Sequence, residues 1–405
     1  MERQGGNKKL FCVAAPCCTI RMVCGSAALF SKHDAGIPCL LLFFPISGFE
    51  WRNESLQKPP KGWHYVRESG ANGILKAAYQ NIATVWQGDF HNAKQVLSAM
   101  KKRVLKPAAV RSDADIAALF HAHRMKQAQQ SRILNMLAVE IRPGFVLDNK
   151  RAPDIRAALL DVYGEADGKP FFLPLNLLLG FMGAHEWHKK GVAVPQLGGS
   201  IHVPFGVFSP LRGEYLDLLA HAPSTGFQTA LDIGTGSGVL AAILAKQGIP
   251  SVIGTDTNPK AVACARANIA RLGFEKQVEI RETDLFPEGF VDLIVCNPPW
   301  LPAKPTSAVE SALYDPESAM LAAFLRDAPK HLNPDGEIRL IISDLAEHLH
   351  LRPSDFLDKA FAQAGLRVAD VLKTKPVHKK AADPNNPLAF ARNRETTFLY
   401  RLKKA

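Results

Sequence analysis

Between about residues 67 and 190, apolar positions return at the spacing of a helix with one buried face. Ile116, Leu119, Phe120, Leu134, Leu137 and Ile141 share such a face. Ser112 with Asp115 makes a capping-box pattern ahead of them, and Pro143-Gly144 stops the run. Asn92 to Val104 reads as another helix, ending in Lys101, Lys102 and Arg103 where cations suit the helix dipole. Helices around 153–163 and 174–190 complete a mainly α region. After Pro195 the period changes. Short β-rich runs at 228–233, 252–256, 277–281, 291–296 and 338–342 alternate with helical stretches, which predicts a parallel sheet covered on both faces. Two last runs, 366–372 and 396–402, have no helix between them and predict closure by an antiparallel final strand. The chain therefore reads as an α/β protein in three parts: a poorly ordered extension (1–60), a mainly helical domain (61–195) and a sheet domain (196–405).

Composition changes this picture in one place. Hydrophobic residues at 47% and charged residues at 21% suit a globular protein with a real core. The longest apolar run, Ile37 to Phe49, is broken by Pro38, Pro45 and Gly48, so no membrane span is expected. The net charge of +11 is localised. Residues 61–142 carry 13 Lys/Arg against 5 Asp/Glu, whereas 143–405 carry 29 of each. A localised basic module suits a polyanion such as nucleic acid or a ribosomal surface, and equally a solvated helical face. Five of the seven cysteines lie within the first forty residues, with no Cys-x-x-Cys pair and no zinc-ligand spacing. A reducing, cytoplasmic setting without a structural metal follows.

The sharpest local signal is Asp232-Ile233-Gly234-Thr235-Gly236-Ser237-Gly238, an apolar strand running through three alternating glycines into a helix. Such glycines allow a sharp turn and close approach to a ligand, with helix amides facing it. Asp256 ends the next strand, 18 residues after Gly238, where a carboxylate can accept both ribose hydroxyls of an adenosine. Asn258-Pro259 starts the following helix. Asp284, with Leu285, ends the third strand, where it can take adenine amino hydrogens. A dinucleotide fingerprint needs two residues before its last glycine, and a P-loop needs a Gly-Lys-Ser/Thr. Neither is present, and the spacing favours S-adenosylmethionine.

The fourth strand ends in Asn297-Pro298-Pro299-Trp300. Two prolines fix the backbone, so their carbonyls and the Asn297 side chain are held as acceptors for both hydrogens of a planar amino group, with Trp300 stacked on its face. Such a clamp suits methylation of an amide or exocyclic amine by proximity, without a strong general base. Pro-Pro can also simply end a strand.

The stretch from Asp232 through Trp300 resembles the class I S-adenosylmethionine-dependent methyltransferases. The specific similarity is to the methyltransferase small domain branch with an Asn-Pro-Pro-aromatic turn. That branch holds glutamine-N5, ribosomal-RNA guanine-N2 and adenine-N6 enzymes. The segments Asp256 to Val262 and Tyr314-Asp315-Pro316-Glu317 are similar to the glutamine-methylating members; Gly206-Val207-Phe208-Ser209 is similar to the guanine-N2 members. Trp300 departs from the commoner tyrosine or phenylalanine. The resemblance covers roughly 198–402 and implies a seven-stranded Rossmann-like sheet. It also implies that Asp232, Gly234, Thr235, Gly236, Ser237 and Gly238 seat the methionine portion. By the same resemblance Asp256 and Asn258 lie at the ribose, and Asp284 and Leu285 at the adenine. Asn297, Pro298, Pro299 and Trp300 would hold the acceptor nitrogen, and Pro210, Arg212 and Glu214 would lie over the cofactor. The expected connection between the last two strands carries Lys373, Lys375, His378, Lys379, Lys380, Arg392 and Arg394, and would overhang the site. The expected partner is a macromolecule, either RNA or a ribosomal or translation-factor protein. A non-catalytic S-adenosylmethionine- or RNA-binding module and a small-molecule N-methyltransferase are the alternatives.

Overall fold

A computed structural model describes residues 49–55, 57–105, 115–210, 213–307, 309–376 and 388–405. Contacts divide the chain into two units. One comprises Met1–Asn53, Gln57–Lys106 and Gln129–Gly180; the other comprises Glu54–Leu56, Pro107–Ala128 and Phe181–Ala405. Among the described residues no helix is long and apolar enough to cross a membrane.

The first unit is built on a five-stranded sheet that the sequence reading omits. Its strands are β1 (Glu50–Trp51), β2 (Gly62–Val66), β3 (Ile82–Trp86), β4 (Leu137–Ile141) and β5 (Phe171–Pro174), in the order β1-β5-β4-β3-β2. β2, β3 and β4 run parallel, and helix α1 (Ala71–Tyr79) connects the first two. Ala83, Thr84 and Val85 are all fully buried, so the internal strand β3 shows no alternation that would betray it. Helices α2 (Phe90–Val104), α3 (Ile116–Leu134), α4 (Arg156–Tyr163) and α5 (Leu175–Lys190) match the expected helical pattern. Asp89 opens α2 by accepting from the His91 and Asn92 amides at 2.9 and 3.2 Å. Leu137 and Ile141, expected on the face of α3, instead lie on β4. Ser112 lies outside the described residues; Asp115 caps α3, accepting from the Ala117 amide at 3.3 Å.

Two domain boundaries need correction. Residues 1–48 lie outside the described residues, but residues 49–53 belong to the first unit, where Glu50–Trp51 form a strand of the sheet. Phe49 stacks on Phe172 with ring centroids 4.6 Å apart, and β1 pairs with β5. The later boundary falls at Gly180/Phe181 rather than 195/196, because Val194, Leu197 and Ile201 bury their side chains in the second unit's core.

That second unit holds a short antiparallel pair, β6 (Val192–Val194) with β7 (Gly199–Ile201), and the expected seven-stranded sheet. In spatial order it runs β10 (Val278–Glu282), β9 (Ser251–Asp256), β8 (Thr229–Ile233), β11 (Val291–Cys296), β12 (Leu332–Ser343), β14 (Thr397–Lys404) and β13 (Leu366–Thr374). β14 is antiparallel to both neighbours, and the other strands are parallel. Side chains alternate between two cores: Leu293 and Val295 enter one, Ile294 and Cys296 the other. Helix α7 (Val239–Lys246) is buried from Val239 through Ala245, which explains why it is apolar all round. Across β12 and β14, the Glu337 carboxylate binds Arg339 at 2.8 Å and Arg401 at 2.8 Å, with Glu337 and Arg339 both buried. Burial alone would raise the Glu337 carboxyl, but hydrogen bonds from the two guanidinium groups outweigh it and hold the group below its usual range.

Candidate active site

Strand register assembles the site. Cys296 pairs with Ile233, Ile233 with Thr255, and Asp256 with Glu282. The residues that follow these pairs are therefore neighbours at one carboxyl edge: Asn297 beside Gly234, Gly234 beside Asp256, and Asp256 beside the Thr283–Leu285 turn. This is where open α/β sheets bind ligands. All three loop glycines have positive φ: Gly234 at 67°, Gly236 at 56° and Gly238 at 80°. A Cβ on Gly234 would meet nothing within 4 Å, and one on Gly236 only the Gly234 carbonyl at 3.9 Å, so an open cradle lies above them. Gly238 serves another purpose, since its Cβ would press to 3.2 Å against Ala265 of α8 (Pro259–Leu272).

Asp232 is fully buried at the base of this cradle. Its Oδ2 accepts from the Thr235 hydroxyl at 2.7 Å and the Ala241 amide at 3.1 Å. Its Oδ1 is buried without a hydrogen-bond partner among the described residues. Burial pushes the carboxyl up to about 7, and the nearby Asp256 charge adds to the rise. An orphaned buried oxygen on a carboxyl of that kind suits a cationic ammonium, and a cofactor's methionine portion carries one. Asp256 buttresses the loop: Oδ2 accepts from the Gly236 amide at 3.0 Å and Oδ1 from the Asn258 amide at 2.9 Å. Asn258 caps α8 through the Lys260 amide at 3.0 Å. Leu285 sits at φ 52°, and its carbonyl accepts from the buried Thr255 hydroxyl at 2.8 Å. Asp284 beside it is exposed. These residues could hold S-adenosylmethionine with its ammonium at Asp232 and its adenosine between Asp256 and the Asp284–Leu285 turn.

At the opposite side of the glycine loop, the Trp300 indole N–H donates to Asn297 Oδ1 at 2.9 Å. Pro298 is buried, Pro299 and Trp300 half-buried, and Trp300 packs against both cores. Part of its ring is thus committed to packing as well as available for stacking. Beyond this turn, Leu301 bridges to Tyr314, and Asp315 accepts from the Met320 and Leu321 amides, both at 3.0 Å, to start α9 (Ala319–Asp327). Pro210 is buried and Glu214 lies in the first turn of α6 (Glu214–His221). Arg212 lies outside the described residues, as do His378, Lys379 and Lys380. The antiparallel β14 brings the connection after β13 to the same carboxyl edge as expected, and there Lys375 donates to the Arg394 carbonyl and the Thr396 hydroxyl at 2.9 and 2.8 Å.

Two contributors escape sequence reading. Asn268, buried on α8, donates to the Ser237 carbonyl at 3.0 Å and to the His202 carbonyl at 3.1 Å, holding the glycine loop from behind. Its signal is a polar residue on an otherwise apolar helix face. Arg124, on the first half of α3, donates to the Lys304 carbonyl at 2.8 Å and to Glu310 at 2.9 Å. Its guanidinium lies 3.8 Å from the centre of the Tyr314 ring. At least 180 residues separate it from its hydrogen-bond partners, so no local pattern announces it.

Residues 205–369 match the family described as methyltransferase small domain. A release factor glutamine methyltransferase of Cereibacter sphaeroides is 38% identical over 146 residues, covering 32% of this chain and 52% of that one. A protein named as a putative N5-glutamine methyltransferase in Methanocaldococcus jannaschii is 31% identical over 147 residues, covering 34% and 73%. A tRNA adenine-N6 methyltransferase of Parabacteroides distasonis is 30% identical over 150 residues, covering 33% and 63%. The chain thus spans about half the length of the first relative, and the family match falls within the second unit. With its glycine cradle, its strand-end carboxylates and its Asn-Pro-Pro-Trp turn in register, the chain belongs to the methyltransferase small domain family of class I S-adenosylmethionine-dependent methyltransferases.

Proposed function

We propose that this protein is an S-adenosylmethionine-dependent N-methyltransferase acting on a planar NH2 group of a macromolecule of the translation apparatus. A protein glutamine amide is the favoured acceptor, because two of the three relatives described are named for that chemistry. One observation carries the reading: the Asn297 turn begins beside Gly234, so an acceptor amide held there faces the cofactor cradle. S-adenosylmethionine, when bound, supplies an electrophilic sulfonium methyl. The protein's part is positioning. The Asn297 oxygen and the Pro298 carbonyl accept the acceptor's N–H hydrogens, and Trp300 limits the plane in which that group can lie. The weakly nucleophilic nitrogen is thereby oriented without a strong base. The basic residues of the first unit and of the connection after β13 suit docking of an anionic ribonucleoprotein surface. Cys264 and Cys296 are free and buried, which fits a reducing, cytoplasmic setting.

Labelled cofactor supplied with ribonuclease-treated and with protease-treated cell extract tests the proposal. Label surviving ribonuclease and lost to protease supports the glutamine acceptor; the reverse supports an RNA base. Binding without transfer to either fraction refutes catalysis. Asn297→Ala should lower turnover by orders of magnitude with cofactor affinity nearly unchanged, and full activity in that variant removes the clamp.

A further inference from the structure

The tetrapeptide ends in tryptophan, and the structure gives that choice a purpose. An asparagine amide has nearly the same shape either way round, but its two ends have opposite chemistry. An amino acceptor needs the oxygen; the reversed amide would set NH2 against NH2. The Trp300 Nε1–H can only donate, and at 2.9 Å from Asn297 Oδ1 it pins the oxygen end in place. A carbonyl oxygen has two lone pairs, so one remains for the acceptor's N–H. Phenylalanine has no donor, and a tyrosine hydroxyl sits at the far tip of its ring. Trp300 itself is held by packing against both faces of the sheet, so its N–H is a fixed reference.

We infer that Trp300 is a positioning residue whose indole N–H fixes the flip state of the Asn297 amide. This rests on the proposed clamp role of Asn297. Three consequences separate it from a simple packing or stacking role. Trp300→Phe should lower single-turnover methyl transfer to ribonuclease-treated extract protein by about tenfold, equivalent to about 1.4 kcal/mol, with cofactor affinity unchanged. In an Asn297→Asp background the flip state has no meaning, because both carboxylate oxygens accept; there the same Trp300→Phe change should cost less than about twofold. The protein has five tryptophans, and the indole 15N–1H signal that disappears in Trp300→Phe should shift upfield and exchange faster in Asn297→Ala.

Equal cost of Trp300→Phe in the unsubstituted protein and in the Asn297→Asp background overturns the inference. So does an indole signal that is indifferent to Asn297→Ala, a measurement that needs no turnover. Wild-type transfer rates in Asn297→Ala would instead overturn the clamp itself, which keeps the two failures distinct.

Discussion

Cofactor affinity should depend on pH through one buried group. Asp232 has its carboxyl raised by burial to about 7 in the free protein, and one of its oxygens has no partner among the described residues. If that oxygen receives the methionine ammonium of S-adenosylmethionine, the ionised form binds and the neutral form does not. At pH 6 roughly one-tenth of the carboxyl is ionised, so affinity should be about tenfold weaker than at pH 8, and binding at pH 6 should release close to one proton. Titration calorimetry at pH 6, 7 and 8, in buffers of different ionisation enthalpy, reads both quantities. Asp232→Asn should bind weakly at every pH and show no proton release.

The same group makes a stability prediction of opposite sign. A carboxyl raised in the folded state contributes stability that is fully present below its unfolded value near 4 and is lost as pH rises through 7. Above pH 7 the folded protein keeps a buried carboxylate, at a cost on the order of 3–4 kcal/mol for a shift of about three pH units. Asp232→Asn removes that charge. Its stability relative to the unsubstituted protein should therefore improve by about 2–3 kcal/mol between pH 5 and pH 8, read by urea denaturation without cofactor. An affinity flat from pH 6 to 8, or an Asn variant that binds as the parent does, refutes the reasoning.

Two further perturbations address how the site is held. Arg124→Ala removes two hydrogen bonds, an ion pair and a stack from a side chain only 14% exposed; it should cost about 1–3 kcal/mol and speed amide exchange across 301–314, while Arg124→Lys, lacking the planar fork, should recover less than half. Unchanged exchange in Arg124→Ala would show that the loop does not depend on it. Glu337→Ala leaves Arg339 fully buried without its counter-charge and should destabilise by about 3–5 kcal/mol in urea; a loss below about 1 kcal/mol would mean that water or rearrangement compensates the guanidinium.

What can be read from the chain beforehand follows a physical division. The seven-stranded sheet is legible because its parallel strands alternate with helical stretches, and its site is legible because glycines and strand-end carboxylates are bound to fixed offsets. Asp232, Asp256 and Asn297 meet at one edge since register puts Ile233, Thr255 and Cys296 level. The first unit escapes for the converse reason. Ile82–Trp86 and Leu137–Ile141 are short apolar runs buried on both faces, and such runs match a strand and a buried helix turn equally. Leu137 and Ile141 fall in phase with α3 by the accident that four residues is close to one helical turn. Arg124 is invisible because only folding brings it to Tyr314. Trp300 is visible as an aromatic ring; its hydrogen bond to Asn297 is not, since a hydrogen bond depends on where the indole edge lies.

Among the described residues seven non-glycines hold positive φ, and three of them lie in loops that follow strands at the proposed site. Leu285 (φ 52°), Glu317 (φ 58°) and Ser318 (φ 55°) hold left-handed backbone without being glycine, and each such residue costs on the order of 1–3 kcal/mol. Leu285 ends the turn after β10, and Glu317 and Ser318 follow the turn that begins at Asn297. Each is over-determined by neighbours: the Thr255 hydroxyl on the Leu285 carbonyl, and the Asp315 carboxylate on two amides at the start of α9. Asp232 adds a carboxyl that its surroundings would prefer neutral. A fold selected only for stability would relieve these sites with glycine and asparagine. At the proposed site a backbone and a carboxylate already in place need no rearrangement when cofactor and acceptor arrive, which is what a preorganised site requires.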